Sequence, residues 1–335
     1  MKLIIQIPCY NEENSLPATL RELPRGIRGI DEIEVLVIDD GSDDRTVEMA
    51  RQAGVSHIVS LGKHQGLAVA FRSGLDACLW RGADLIVNTD GDNQYAGGDI
   101  ETLVAPILSG QADLVVGVRD IESISYFSPL KKRLQRIGSW VVRQAAGSPI
   151  EDTTSGFRAF NREAALRINV FSGFSYTLET LIQAGQGPLR IATVPVRVNA
   201  KMRESRLAGS IRKYIARSAA TIFRVYATYN PMRVFFWAGA VSFSLGCLIS
   251  LRYLYLYWTA SASGHVQSLI LSAILMILGF QLFVVGVVSE LISVNRRLNE
   301  EVLYRLRRLE LNQASRPGAL IEGKGSAASR SQKSP

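Results

Sequence analysis

Asn88-Thr89-Asp90-Gly91-Asp92-Asn93-Gln94 follows the apolar run Leu85-Ile86-Val87 and runs into the turn-rich Tyr95-Ala96-Gly97-Gly98. An apolar run of this length that ends in alternate carboxylates reads as a buried strand. It delivers acid side chains to its C-terminal edge, where open α/β sheets place their ligands. Asp92 and Gln94 are two residues apart, so in extended backbone they point to one side, and Gly91 between the acids lets the chain pass close to a bound group. Oxygen donors alone select a hard cation, so Asp90, Asp92 and Gln94 make a candidate site for Mg²⁺ or Mn²⁺. A solvated Asp/Asn-rich turn is the competing reading, and the rest of the chain decides between them.

Outward from this stretch the same unit repeats. Residues 3–7 read as a first strand, closed by the polar loop Pro8-Cys9-Tyr10-Asn11-Glu12-Glu13 and a helix over about 15–23. Residues 35–38 are a second buried strand ending in Asp39-Asp40-Gly41-Ser42, and Ser42 or Asp43 is placed to cap the helix over 46–53. A third strand at 58–61 leads through Gly62-Lys63-His64-Gln65-Gly66 into a helix over 67–80; a helix at 100–108 and a strand at 114–118 follow the central stretch. Strands alternating with helices predict an α/β fold with a mostly parallel, Rossmann-like sheet. Asp39 and Asp40 also suit the positive end of a helix, and that is the plainer role for one of the two. His64 reads as a loop hydrogen-bonder rather than a base, because nothing pairs it with a nucleophile. No Gly-x-Gly-x-x-Gly and no Walker loop is present, which removes dinucleotide oxidoreductases and P-loop enzymes.

Composition narrows the class further. The 335 residues suffice for one large α/β domain plus a smaller part. The mean hydropathy is slightly positive although a fifth of the residues are charged, because apolar residues concentrate after Arg233. The formal charge of +8 gathers near those apolar spans and in the C-terminal tail, which points to anionic lipid rather than nucleic acid. There is no zinc spacing, RNA-binding aromatic motif or basic zipper. Cys9, Cys78 and Cys247 imply no disulfide framework, and Pro8 turns the N-terminus after too few apolar residues for a signal peptide. The first domain is therefore expected in the cytoplasm.

Five motifs in order, Pro8-x-Tyr10-Asn11-Glu12, Asp39-Asp40-Gly41-Ser42-x-Asp44-x-Thr46, Asp90-x-Asp92-x-Gln94, Gly117-x-Arg119 and Asp152-x-x-Ser155-Gly156-Phe157-Arg158, resemble the inverting GT-A glycosyltransferases. Within them the chain is similar to the polyprenyl-phosphate glycosyltransferases, whose members include dolichyl-phosphate mannose synthases and enzymes that load glucose onto undecaprenyl phosphate. The likeness covers residues 3–207. It implies that Pro8, Tyr10, Asn11, Glu12, Asp39, Asp40, Asp90 and Gly91 bind a nucleotide diphosphate sugar, with Pro8, Tyr10, Glu12 and Asp40 on base and ribose. It also implies that Asp90, Asp92 and Gln94 manage metal and diphosphate and that Asp152 is the catalytic base. A departure is His64, where the family often has Asn. Arg203 is implied on the acceptor phosphate, and Glu204-Ser205-Arg206 stands where the family shows Gly-x-Ser-Lys, so that a lysine's role passes to Arg206. The chemistry gives Asp152 a second reading. A phosphate monoester has a second pKa of about 6 and reaches the site largely dianionic, so the acceptor needs no base. Asp152 then orients a cation, the available ones being Arg119, Arg133, Arg158 and Arg203.

The remaining chain reads as membrane-bound. Residues 131–143 and 211–229 are basic and amphipathic, suiting helices at a membrane surface, with an ordinary surface helix as the alternative for the first. Residues 234–251 are uncharged over about 18 residues, ~27 Å at ~1.5 Å per residue, close to a hydrocarbon core. Residues 266–289 are a second span, and the link at 259–265 carries no Lys or Arg while both outer flanks are cationic, which places both termini in the cytoplasm. The expected organisation is a GT-A domain over 1–207, a juxtamembrane amphipathic helix over 208–232, a two-helix hairpin over 233–294, a cytoplasmic helix over 295–311 and a disordered tail over 312–335. The function so read is metal-dependent inverting transfer of one sugar from a nucleotide diphosphate sugar, UDP before GDP by resemblance alone, to a polyprenyl phosphate at the cytoplasmic leaflet. Homo-oligomerisation stays open and nucleic acid is not a partner. A processive polysaccharide synthase is disfavoured by having only two spans and no Gln-x-x-Arg-Trp, and a non-catalytic nucleotide-binding scaffold by the intact acids.

Overall fold

The computed structural model describes residues 1–119, 139–140, 143, 152–170, 176–199, 223, 226–227, 230–259 and 266–314. Seven strands among these form one sheet: β1 (Lys2–Cys9), β2 (Glu32–Asp39), β3 (His57–Ser60), β4 (Leu85–Asn88), β5 (Leu114–Arg119), β6 (Arg158–Asn161) and β7 (Ile191–Val196), in the order β3-β2-β1-β4-β6-β5-β7. Pairing is parallel except at β6, which runs antiparallel between β4 and β5. The mostly parallel sheet agrees with the sequence reading, which did not foresee β6. Helices α1 (Leu16–Glu22), α2 (Thr46–Gln52), α3 (Leu67–Trp80), α4 (Ile100–Leu108), α5 (Arg162–Arg167) and α6 (Tyr176–Gln186) cover it.

Period-two alternation divides the core. Leu3, Ile5, Ile7, Leu85 and Val87 join one apolar cluster with α4, while Ile4, Leu36, Ile38 and Ile86 join the other with α3, α5 and α6. Gln6, on the α3 side of β1, is wholly buried and donates from Nε2 to Asn88 Oδ1 at 2.9 Å, so the polar pair is satisfied inside the sheet. Pro195 lies on β7, an edge strand, where its missing N–H costs no central ladder bond.

The chain divides into two compact units, 1–210 with 300–335, and 211–299. The second unit holds α7 (Pro231–Thr259) and the first part of α8 (Val266–Ala314), both long and apolar enough to cross a membrane. Their contact is built on small residues. A Cβ at Gly279 would stand 2.7 Å from Phe243 N, and Ser272 Oγ donates to the Gly246 carbonyl at 2.8 Å. Trp237, Val241, Leu248, Ile270, Ile274 and Ile277 are exposed apolar residues of these helices, an arrangement that lipid satisfies and water does not.

The sequence reading separates the second span from a later helix, but α8 is continuous to Ala314, since no Gly or Pro interrupts 290–300. Residues 312–314, read as the start of the tail, form its last turn. Its final stretch packs within the first unit: Tyr304 and Leu311 join the α3-side core, Arg167 lies over the Tyr304 ring at 4.0 Å, and Arg307 donates to the Ile168 carbonyl at 3.1 Å. The amphipathic segments at 131–143 and 211–229 and the tail beyond 314 lie, apart from isolated residues, outside the described residues.

Candidate functional site

The first two motifs are hydrogen-bonded to each other. Asn11, with φ 54°, donates its N–H to Ser42 Oγ at 2.9 Å; the Glu12 N–H donates to Thr46 Oγ1 at 2.8 Å and the Glu13 N–H to Asp44 Oδ2 at 3.1 Å. In return the Asp43 N–H donates to Asn11 Oδ1 at 2.9 Å. Asp44, rather than Ser42 or Asp43, receives the Thr46 N–H at 2.9 Å at the start of α2. The N-cap position is Arg45, so Ser42 and Asp43 lie too early in the chain to cap α2, and Ser42 is engaged by Asn11 instead. The loop after β1 and the loop after β2 thus form one wall at the sheet's C-terminal edge, next to Pro8 at the end of β1.

Asp39 and Asp40 are both buried and work on different neighbours. Asp39 accepts from the Ser42 N–H at 3.1 Å and from Ser60 Oγ at 3.1 Å, tying its own turn to β3. Asp40 accepts from the N–H groups of Gln65 and Gly66 at 2.7 and 2.9 Å, and His64 Nδ1 lies 2.9 Å from its Oδ2.

At the end of β4 the chain turns instead of staying extended. Asn93 has φ 56°, and the Gln94 N–H donates to Asp92 Oδ1 at 3.1 Å. The alternation that put Asp92 and Gln94 on one side therefore does not apply, because the Asp92 side chain folds back on the backbone that follows it. Gly91 lets this turn lie close to β1: a Cβ would stand 2.9 Å from Cys9 Sγ. Among the described residues the Asp90 carboxylate receives no hydrogen bond. Burial and the neighbouring Asp92 charge push its pKa up to about 7, with Glu12 adding to the rise and Arg119 opposing it. An acid without donors beside a second carboxylate is what a divalent cation relieves. Among the described residues no three His, Cys, Asp or Glu side chains gather as a complete metal centre. The donor set therefore fits an ion that takes the rest of its oxygen shell from a bound diphosphate, the habit of Mg²⁺.

Asp152 and Arg119 form a buried two-pronged pair. Arg119 Nε donates to Asp152 Oδ2 at 2.7 Å and Nη2 to Oδ1 at 3.1 Å, while Nη2 also donates to Thr154 Oγ1 at 2.9 Å. Burial alone would raise the Asp152 pKa; the Arg119 charge and hydrogen bonds outweigh it and hold the carboxyl below the ordinary range. That is a poor setting for a base at neutral pH and a good one for holding a guanidinium. Among the described residues Arg119 Nη1 has no acceptor.

Arg158, named from sequence among the cations available to Asp152, is not the one whose donors Asp152 receives. It is fully buried and spends its donors on Ser155 O at 2.8 Å, Thr177 O at 2.8 Å, Thr180 Oγ1 and Thr153 O at 3.2 Å, with its pKa drawn down by burial to about 10. Its place in the motif is explained by the turn it braces. Gly156 in that turn sits against Asp90: a Cβ would lie 3.0 Å from Asp90 Oδ2. Tyr95 Oη accepts the Gly156 N–H at 3.1 Å and Asn88 Nδ2 donates to the Gly156 carbonyl at 2.8 Å. Thr154, Tyr95 and Asn88 were not singled out from sequence, though the Asp152-x-Thr154 spacing was there to be read. Arg133, Arg203 and Arg206 lie outside the described residues.

The site so built brings Pro8, Tyr10, Asn11, Glu12, Asp39, Asp40, Asp90, Gly91, Asp92 and Gln94 to the strand ends and loops at one sheet edge, with Arg119 and Arg158 acting electrostatically on Asp90. Residues 4–168 match the family described as Glycosyl transferase family 2, and residues 230–294 match the GtrB C-terminal hairpin. An uncharacterized protein of Methanocaldococcus jannaschii is 30% identical over 205 residues, covering 58% of this chain and 81% of that one. Glycosyltransferase AglJ of Haloferax volcanii is 28% identical over 91% of this chain and 97% of its own length. Undecaprenyl-phosphate mannosyltransferase of Micrococcus luteus is 28% identical over 63% and 89%. The crystal structure of glucosyl-3-phosphoglycerate synthase from Mycobacterium tuberculosis with Mn²⁺, UDP-glucose and phosphoglyceric acid superposes with a TM-score of 0.54 at 22% identity, over 68% of this chain and 79% of that one. That likeness is one of fold. With the GT-A-like sheet, the ordered motifs and the apolar hairpin all in place, the chain belongs to glycosyl transferase family 2 and is a glycosyltransferase.

Proposed function

We propose that this enzyme transfers one sugar, with inversion, from a nucleotide diphosphate sugar to a polyprenyl phosphate at the cytoplasmic leaflet, with a divalent cation held by Asp90, Asp92 and Gln94. The observation that carries the reading is the juxtaposition of two unlike charge clusters: an acidic pair with, among the described residues, no hydrogen-bond donor on Asp90, and a buried guanidinium whose field reaches Asp90. A donor diphosphate needs the first and an anionic acceptor needs the second. The acceptor class is supported by the undecaprenyl-phosphate mannosyltransferase relative and by the hairpin, which suits an enzyme whose acceptor never leaves the bilayer.

When bound, Mg²⁺ or Mn²⁺ neutralises charge on the leaving diphosphate. The residues do the rest. The Asn11–Ser42 and Glu12–Thr46 contacts fix the wall against which the nucleotide lies. Asp152 holds Arg119 through Nε and Nη2, leaving Nη1 to bind the acceptor phosphate. That phosphate, with a second pKa of about 6, attacks without giving up a proton, so Asp152 orients rather than deprotonates. Arg133, Arg203 and Arg206 are the further cations proposed for the acceptor.

The test is transfer from labelled UDP- and GDP-sugars to a short-chain polyprenyl phosphate in sealed membrane vesicles. Nucleotide sugars do not cross the bilayer. The proposal requires lipid-linked product in inside-out vesicles with Mg²⁺ or Mn²⁺ and little in right-side-out ones. Product formed equally in right-side-out vesicles would overturn the topology, and no lipid product from any donor would overturn the reaction.

A further inference from the structure

Gly62-Lys63-His64-Gln65-Gly66, the link from β3 to α3, is clamped from two directions. Asp40 takes the Gln65 and Gly66 N–H groups. On the other side the backbone of Lys63 and His64 lies so close to Gly41 that a Cβ there would stand 2.4–2.7 Å from it, and Gly41 has φ +71°, a region that favours glycine. The loop therefore holds His64 in a fixed frame. The imidazole stacks on Tyr10, with ring centroids 4.0 Å apart and planes 25° from parallel, and its Nδ1 is the atom beside Asp40. The Tyr10 face toward His64 is already covered, while His64 itself is 54% exposed.

We propose that His64, rather than Tyr10, presents the aromatic face on which the donor's nucleobase stacks, with Tyr10 as the platform beneath it and Asp40 as its anchor. This rests on the nucleotide-sugar reading above and names the group that recognises the base. A neutral imidazole whose Nδ1–H donates to a carboxylate carries its acceptor on Nε2, so in that form the ring offers a flat face and one acceptor at its edge. The N–H donors of uracil or guanine are complementary to that edge. Asp40 is then a positioning residue: its oxygens serve the loop and the imidazole, and it reaches the base through His64. The departure from Asn at this position, noted from sequence, is explained as a change of stacking surface.

The experiment measures binding of UDP and GDP, each with Mg²⁺, to the full-length protein in detergent, with inorganic pyrophosphate as the base-free probe. His64→Ala should weaken whichever nucleotide the wild type binds by about tenfold, ~1.4 kcal/mol, and leave pyrophosphate unchanged. His64→Phe, which keeps a face, should recover most of the loss. Two results overturn the proposal: nucleotide binding in His64→Ala as tight as or tighter than wild type, which means the base displaces the imidazole and stacks on Tyr10, or an equal loss of pyrophosphate, which means His64 only supports the loop. A wild type that binds neither nucleotide would instead overturn the donor reading.

Discussion

Two acidic pairs stand at strand ends on the same edge of the sheet and have opposite surroundings. Asp39 and Asp40, at the end of β2, are both engaged: serine N–H and hydroxyl groups on the first, two loop N–H groups and an imidazole on the second. Asp90 and Asp92, after β4, share among the described residues a single hydrogen bond, the Gln94 N–H on Asp92, and the Asp90 pKa is lifted to about 7 by burial and its neighbour's charge. Carboxylates whose lone pairs are filled by the protein are scaffold; carboxylates left to repel each other are reserved for something the protein does not itself supply. A fifth acid, Asp152, adds a third kind of setting, since its charge is neutralised from within by Arg119.

The largest effect follows from the unsatisfied pair. Asp92→Asn should lower transfer by at least about a hundredfold, because it removes charge from the site that must offset the leaving diphosphate. Near-normal transfer with Mn²⁺ or Mg²⁺ supplied would erase the contrast. Asp152→Asn is intermediate. Removing one partner of a buried ion pair should cost about 3 kcal/mol of stability, measured by denaturant unfolding near neutral pH. Because the native Asp152 pKa is depressed, the stabilisation is complete above the unfolded value of about 3.9 and is lost as pH falls through the lower native value; wild type and variant should converge in strong acid. The folded variant should keep measurable transfer at pH 8, and a variant as inactive as Asp92→Asn there would make Asp152 essential to the chemistry. The smallest effect belongs to Asp39→Asn, which should cost about 1 kcal/mol of stability and leave transfer near wild type.

Much of this was legible in the chain because the deciding signals are local. Apolar runs closed by a polar loop placed β1 and apolar runs ending in acids placed β2 and β4, and helix α3 falls at residues 67–80, where the sequence reading put it. What the sequence concealed depends on distant partners. Strand β6 was missed because it is four residues long and begins with Arg158, a charge that reads as exposed until four protein oxygens are brought around it. The Asp92–Gln94 alternation failed because an aspartate followed by Asn93 can close a turn on its own backbone. The docking of Tyr304 and Leu311 into the core was hidden in a charged amphipathic pattern that serves equally well for a solvated helix. For the site, residue type located the carboxylates, but only their donors separate scaffold from reagent.

The contrast between the two pairs is tested most directly by Mn²⁺ binding, followed by electron paramagnetic resonance with UDP or GDP present, in wild type, Asp39→Asn and Asp92→Asn. The account predicts that Asp39→Asn binds Mn²⁺ as the wild type does and that Asp92→Asn loses it. Mn²⁺ retained by Asp92→Asn, or lost equally from both variants, would contradict it.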